Sequence, residues 1–240
     1  MKKRLVCGDI HGHFDTFLEI YNEENPDDVI LLGDYVDSFT KSPKECYDCL
    51  ANILFLKENH KKGEFIMLLG NHDFHYLPIG ERYSGYKIET KELCSHILFD
   101  NIYNDKTIKI IYIDKLNNTI YSHAGISNTW FKYNDIKSLE DINKINKFSD
   151  LYKFKFSGFN FYGDDATQGP LWIRPNSLQK DMFSLNNFTW NQIVGHTHTK
   201  KTLIFDNLTV IDTMPNYYIV QELDNGIIIN QEIKERNAIH

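Results

Sequence analysis

Three apolar runs in the first third of the chain end in the same way. Leu5–Val6–Cys7 runs into Gly8–Asp9, Val29–Leu32 into Gly33–Asp34, and Phe65–Leu69 into Gly70–Asn71. Helical patterns lie between them. Phe14, Phe17, Leu18 and Tyr21 share one face of a short helix, and Pro43–Glu58 reads as a second, opened by Ser42 as N-cap with proline at its first position. Strand, helix, strand, helix, strand predicts a largely parallel sheet. Parallel strands point their carboxyl ends one way, so three glycine-bounded polar corners should meet at one sheet edge, where open α/β proteins place their ligands.

The remainder is less regular. Thr107–Ile113 and Thr119–Tyr121 predict paired strands around Asn117–Asn118, and residues 127–190 read as helix and long loop. From Gln192 onward, short apolar runs separated by Asp206–Asn207 and Asp224–Asn225–Gly226 predict an antiparallel meander. No repeat, low-complexity stretch or linker divides the 240 residues, which predicts one domain, 1–240.

Apolar runs break at Gly or Asp well short of the ~18–20 residues of a membrane span. The basic start Met-Lys-Lys-Arg is followed by an apolar part that stops at Gly8–Asp9, too short for a signal peptide, so a cytoplasmic protein without membrane attachment is expected. A net charge of −7 argues against a broad nucleic-acid-binding face. Cys46 and Cys49 form a C-x-x-C inside the second helix, with no second pair to complete a metal cage, and read as buried thiols.

Five of the ten histidines fall in four of five polar corners, each corner after an apolar run: Gly8-Asp9-Ile10-His11-Gly12, Gly33-Asp34-Tyr35-Val36-Asp37, Gly70-Asn71-His72-Asp73, Ser122-His123-Ala124-Gly125 and Gly195-His196-Thr197-His198. Carboxylate and amide oxygens with imidazole nitrogens suit Mn²⁺, Fe or Zn²⁺ better than a structural zinc, which prefers thiolates. The set exceeds one tetrahedral site. Two ions ~3.5–4 Å apart, sharing a carboxylate, would hold both attacking and leaving oxygens of a phosphoryl displacement.

In that order, G-D-x-H-G, G-D-x-x-D, G-N-H-D, His before Ala-Gly, and G-H-T-H, the motifs resemble the calcineurin-like metallophosphoesterase superfamily, and Gly33–Asp37 is similar to its phosphoprotein phosphatase branch and bacterial relatives. The resemblance implies ligands residue by residue. Asp9, His11 and His198 would hold the first metal, Asn71, His123 and His196 the second, and Asp34 would bridge them. Mn²⁺ is the first choice of metal, with Fe or Zn²⁺ as alternatives. His72 would act as general acid at the leaving group, oriented by Asp37. The nucleophile would be a water or hydroxide held by the metals, attacking in line with no covalent phosphoenzyme.

The chain departs from that pattern at two points. Ser38–Phe39 stand where the protein phosphatases carry Arg-Gly after the G-D-x-V-D, and His123 precedes Ala-Gly rather than two glycines. Bidentate arginine stabilises a bound phosphate ester, so another arginine is sought. Arg174, in the segment PLWIRP, is the first choice and Arg82 the second, with Asn71 also facing substrate. His13, His75 and His96 read as loop or packing residues, as does Tyr35. The aromatic stretch Phe154–Tyr162 reads as a lid, with Gly158, Gly163 and Gly169 as hinges.

The implied fold is α/β, a metallophosphoesterase-type sandwich of two mixed β-sheets flanked by helices. The implied activity is hydrolysis of phosphomonoesters, with phosphoserine or phosphothreonine in protein leading and a dinucleoside polyphosphate or another nucleotide as the alternative. A non-catalytic metal-binding scaffold comes last, because every implied ligand is present. The implied partner is a phosphorylated small molecule or phosphoprotein, and the oligomeric state stays open.

Overall fold

The computed structural model describes residues 1–157, 163–212 and 216–236. Its first part alternates as the sequence predicts: β1 (Lys2–Cys7), α1 (Phe14–Glu24), β2 (Asp28–Leu31), α2 (Pro43–Asn59), β3 (Phe65–Leu68), α3 (Asn71–Phe74) and α4 (Ile88–Phe99). There follow β4 (Ile108–Lys109), β5 (Ile111–Asp114), β6 (Thr119–Ser122), α5 (Asn128–Tyr133), α6 (Pro175–Lys180), β7 (Ser184–Leu185), β8 (Phe188–Thr189) and β9 (Asn191–Val194). The last strands are β10 (Leu203–Phe205), β11 (Leu208–Val210), β12 (Tyr217–Asp224) and β13 (Ile227–Glu235).

Helix α2 begins where its first residues require. Ser42 accepts the Glu45 N–H, the Glu45 carboxylate accepts the Ser42 N–H at 2.8 Å, and Pro43 needs no partner for a missing N–H. Its buried residues Cys46, Cys49, Leu50 and Ile53 follow helical spacing. The four cysteines are free thiols, all buried.

Two mixed sheets stack face to face. One runs β13-β12-β1-β2-β3-β4, with β1 to β4 parallel; the other runs β10-β11-β9-β6-β5, with β9 parallel to both neighbours. Alternation along the central strands explains the layering. Leu5, Cys7, Val29, Leu31, Phe65 and Met67 pack with Phe17 of α1 and Leu50 of α2. Val6, Ile30, Leu32, Ile66 and Leu68 point the other way and meet Tyr121 and Ile193 of the second sheet. Both faces of these strands are therefore covered. Each fully buried Leu or Ile contributes roughly 1.5–3 kcal/mol of transfer free energy. The outer face of the second sheet is closed by Leu178 of α6 against Val194, Leu208 and Val210.

Two expectations about strands need correction. Thr107–Ile113 is not one strand. β4 pairs in parallel with β3, while β5, one residue later, pairs with β6 in the other sheet, so the chain changes layers at Ile110. Nor do the strands after Gln192 form a single meander. β10–β11 and β12–β13 are antiparallel hairpins in different sheets, and β9 is parallel to β11. Periodicity names strands but not partners, which depend on distant sequence.

No helix among the described residues is long and apolar enough to cross a membrane. Of the expected lid, Phe154 is fully buried and Phe156 packs on Trp172 at 5.3 Å. Residues 158–162, with the hinge expected at Gly158, lie outside the described residues.

Candidate active site

The corners after β1, β2, β3, β6 and β9 meet at one edge of the sandwich. Gly70 allows the closest approach, since a Cβ there would run into the Asp34 side chain and backbone nitrogen. Gly33, at φ +113°, takes a conformation that side chains resist. His11 (φ 45°), Asp34 (53°), Asp37 (69°) and His196 (63°) are also left-handed. Strain of ~1–3 kcal/mol at each of four clustered positions persists only where the surroundings impose it, as at functional sites.

Asp73 supplies much of that imposition. Its carboxylate accepts the backbone N–H groups of Asp34 (2.8 Å), Tyr35 (2.9 Å), Val36 (3.2 Å) and Gly70 (3.0 Å). Burial pushes its carboxyl up to about 6 while those donors pull it down.

Asp9, Asp34 and His123 bring ligand atoms within 4.8 Å of one another, all buried, and His11, Asp34 and His72 form a second such group. Asp34 belongs to both. Asn71 Oδ1 lies 2.7 Å from His123 Nε2 and 2.8 Å from His196 Nδ1. The His196 N–H donates to Asp9 Oδ1 at 3.0 Å.

Three histidines share an arrangement that fits a cation. His11 Nδ1 faces the Asp37 carbonyl (2.6 Å), His123 Nδ1 the Leu32 carbonyl (3.0 Å) and His196 Nε2 the Trp172 carbonyl (3.0 Å). A carbonyl only accepts, so each of these nitrogens carries the proton and the other presents a lone pair. Those lone pairs face oxygens: His11 Nε2 is 3.7 Å from Asp34 Oδ2, and His123 Nε2 is 3.5 Å from it. Burial holds the imidazoles neutral, with His11 pushed down to about 4 and His123 and His196 well below their ordinary value. Burial and neighbouring carboxylates push Asp9 and Asp34 well up. Imidazole lone pairs converging on carboxyl and amide oxygens are what a divalent cation satisfies, displacing any carboxyl proton, and an N–H bonded to a carbonyl is how ligating histidines are held.

His198 does not join this group. It is exposed, because the left-handed turn at His196 buries the first histidine of Gly195-His196-Thr197-His198 and leaves the second outside. It interacts instead with Asp212, a residue that sequence reasoning missed. Asp212 is buried, hydrogen-bonds the Asp9 carboxyl, and is pushed up by burial. The available signal was the run Thr209–Val210–Ile211 ending in an acid beyond β11, with no glycine to mark the corner.

His72 Nδ1 lies 2.9 Å from Asp37 Oδ2, and the His72 backbone N–H donates to Asp34 Oδ1 at 2.8 Å. Arg174 stands at the residue before α6 and donates to the His196 carbonyl (2.9 Å) and Thr197 Oγ1 (3.2 Å), within the field of Asp9, Asp34 and Asp212. Arg82 is exposed, its guanidinium over the Tyr86 ring at 5.2 Å. The structure thus brings Arg174 to the cluster and leaves Arg82 at the surface.

A family model described as calcineurin-like phosphoesterase matches residues 2–200. The chain belongs to the calcineurin-like phosphoesterase family. It is 31% identical to the serine/threonine-protein phosphatase 2B catalytic subunit A1 of Saccharomyces cerevisiae over 156 residues, 61% of this chain and 24% of that one. The chain thus matches about a quarter of the length of such relatives. Among solved structures, a protein serine/threonine phosphatase from Saccharomyces cerevisiae superposes with a TM-score of 0.61 at 17% identity, covering 100% of this chain and 81% of that one. A cold-active protein-tyrosine phosphatase of a psychrophilic Shewanella sp. gives 0.60 at 20% identity, covering 97% and 80%. These two share the calcineurin-like phosphoesterase fold seen here.

Proposed function

We propose that this calcineurin-like phosphoesterase is a two-cation phosphomonoesterase working as one domain, 1–240, in the cytoplasm. The observation that carries this reading is the set of three histidines, each tied by one N–H to a backbone carbonyl and turning its lone pair toward Asp9, Asp34 or Asn71. Asp9, His11 and Asp34 would hold one divalent cation, and Asp34, Asn71, His123 and His196 the other. His198 would join the first set only as an outer ligand. Mn²⁺ is proposed first, with Fe or Zn²⁺ as alternatives. When bound, the cations supply the positive charge that holds the oxygens of an in-line displacement and acidifies water.

The chain's own residues do the rest. His72, oriented by Asp37, donates a proton to the departing alkoxide, and the carboxylate stabilises the imidazolium that supplies it. Arg174, held beside the cluster by the His196 carbonyl and Thr197 Oγ1, brings its positive guanidinium to the phosphoryl oxygens. Asn71 orients the ester beside the cluster. Phosphoserine and phosphothreonine in protein are the proposed substrates, because the relative with 31% identity is named a serine/threonine-protein phosphatase.

A rate comparison in Mn²⁺ on phosphopeptides, a mononucleotide and a dinucleoside tetraphosphate tests this, with EDTA as control. Fastest turnover of phosphoserine or phosphothreonine peptides, abolished by EDTA, is expected. Preference for the tetraphosphate would move the assignment to nucleotide hydrolysis, and EDTA-insensitive turnover would sink the two-cation reading.

A further inference from the structure

Behind the His72–Asp37 pair lies a side chain that the reading above leaves unused. His75 directly follows α3, and its ring is fully buried. It stacks on Trp172 with centroids 5.9 Å apart at 17°, and its centroid is 4.9 Å from that of His72. Among the described residues neither of its ring nitrogens has a hydrogen-bond partner, and Asp37 Oδ1 has none either. A buried polar atom without a partner costs ~1–3 kcal/mol. Three in one contact call for a physical reason.

The ligand atoms of Asp37, His72 and His75 all lie within 4.8 Å of one another. His72 Nδ1 is 2.9 Å and His75 Nδ1 3.9 Å from the same oxygen, Asp37 Oδ2. Donors bonded to a tetrahedral zinc at ~2.0–2.2 Å stand ~3.3–3.6 Å apart, which falls between those two separations. We propose that Asp37, His72 and His75 form a third cation site, a two-histidine, one-carboxylate site for Zn²⁺ that adjoins the Asp9–Asp34 cluster through His72.

Two imidazoles and one carboxylate favour a borderline ion over Mg²⁺ or Ca²⁺. Burial pushes the His75 imidazole down to about 3, so at neutral pH the ring is uncharged and one of its two nitrogens offers a lone pair. The His72 side chain is 18% exposed and gives the ion its way in from the cleft. A zinc ion here takes the His72 nitrogen that otherwise pairs with Asp37, so the occupied site inhibits proton donation. A histidine present only to pack against Trp172 would be replaceable by phenylalanine without change in ion content.

The full chain loaded with Mn²⁺ is given a small excess of Zn²⁺, freed of unbound metal, and assayed for both elements. One more zinc per chain in the parent than in His75→Phe, at equal manganese, is expected, with the half-inhibiting zinc concentration raised roughly tenfold or more in the variant. Equal zinc content overturns the proposal. Should His75→Phe fail to fold, anomalous diffraction at the zinc edge from parent crystals decides. A peak among the three side chains supports the site, and zinc confined to the Asp9–Asp34 cluster removes it. Both readouts count or locate ions, so they stand apart from whether Mn²⁺ supports hydrolysis.

Discussion

Asp73 Oδ2 accepts the backbone N–H of Asp34 at 2.8 Å, tying the corner after β3 to the corner after β2. Three further backbone N–H groups end on the same carboxylate, and two of the four residues, Gly33's neighbour Asp34 and Gly70, sit where backbones nearly touch. Asp73→Ala would leave four donors without an acceptor. A loss of at least ~3 kcal/mol is expected in urea unfolding with EDTA present, and a fall of about 6 to 12 °C in Tm. Asp73→Asn, which keeps part of the acceptor capacity, should lie between. Unchanged stability in Asp73→Ala would show that the corners hold each other without it.

His72 and Asp37 make a separate prediction about the leaving group. His72→Asn should slow hydrolysis of an alkyl phosphate roughly 10²–10⁴-fold and of p-nitrophenyl phosphate far less, because a stable phenolate needs no proton to depart. Asp37→Asn should move the same ratio in the same direction. Equal losses on both esters would mean that His72 positions rather than protonates.

The two arginines should behave differently. Arg174→Ala is expected to lower kcat by roughly 10²-fold or more, as loss of a charged donor to a phosphoryl oxygen does. Arg174→Lys should recover little, since an ammonium does not reproduce the planar fork. Arg82→Ala, at an exposed residue on Tyr86, should stay within about a factor of two. A large loss in Arg82→Ala with none in Arg174→Ala would reverse the assignment.

His75 also predicts the acid limb of stability. Its folded value is about 3, below an ordinary 6.5, so between those limits the unfolded chain binds a proton that the native state refuses. The native state is therefore favoured above pH 6.5 and loses ground as pH falls toward 3, by at most about 1.4 kcal/mol per unit from this one group. Subtracting the pH–stability curve of His75→Phe from that of the parent, both in EDTA, should leave that slope. A flat difference would place the His75 titration at its ordinary value.

The first three strands, their intervening helices and the convergence of Gly8–Asp9, Gly33–Asp34 and Gly70–Asn71 were legible because each rests on local periodicity and on the shared direction of parallel strands. The placement of His11, Asp34 and His72 at one edge followed from that direction, whereas His123, after β6 of the other sheet, was assigned through the family resemblance alone. The split of Thr107–Ile113 between two sheets was not legible, since a strand's own residues do not name its partner. Asp212 escaped because no glycine announces its turn, and the choice of Arg174 over Arg82 depends on a carbonyl of His196 that sequence cannot position.

What the amino-acid order determined by itself was a set of apolar runs with polar ends, and hence which residues could reach a common edge. Only the folded molecule decided which of them face inward. The left-handed backbone at His196 turns one histidine into the cluster and leaves His198 exposed. Carbonyls of Leu32, Asp37 and Trp172 choose which ring nitrogen keeps its proton. Those choices depend on contacts between segments far apart in the chain, where packing and desolvation act and periodicity carries no information.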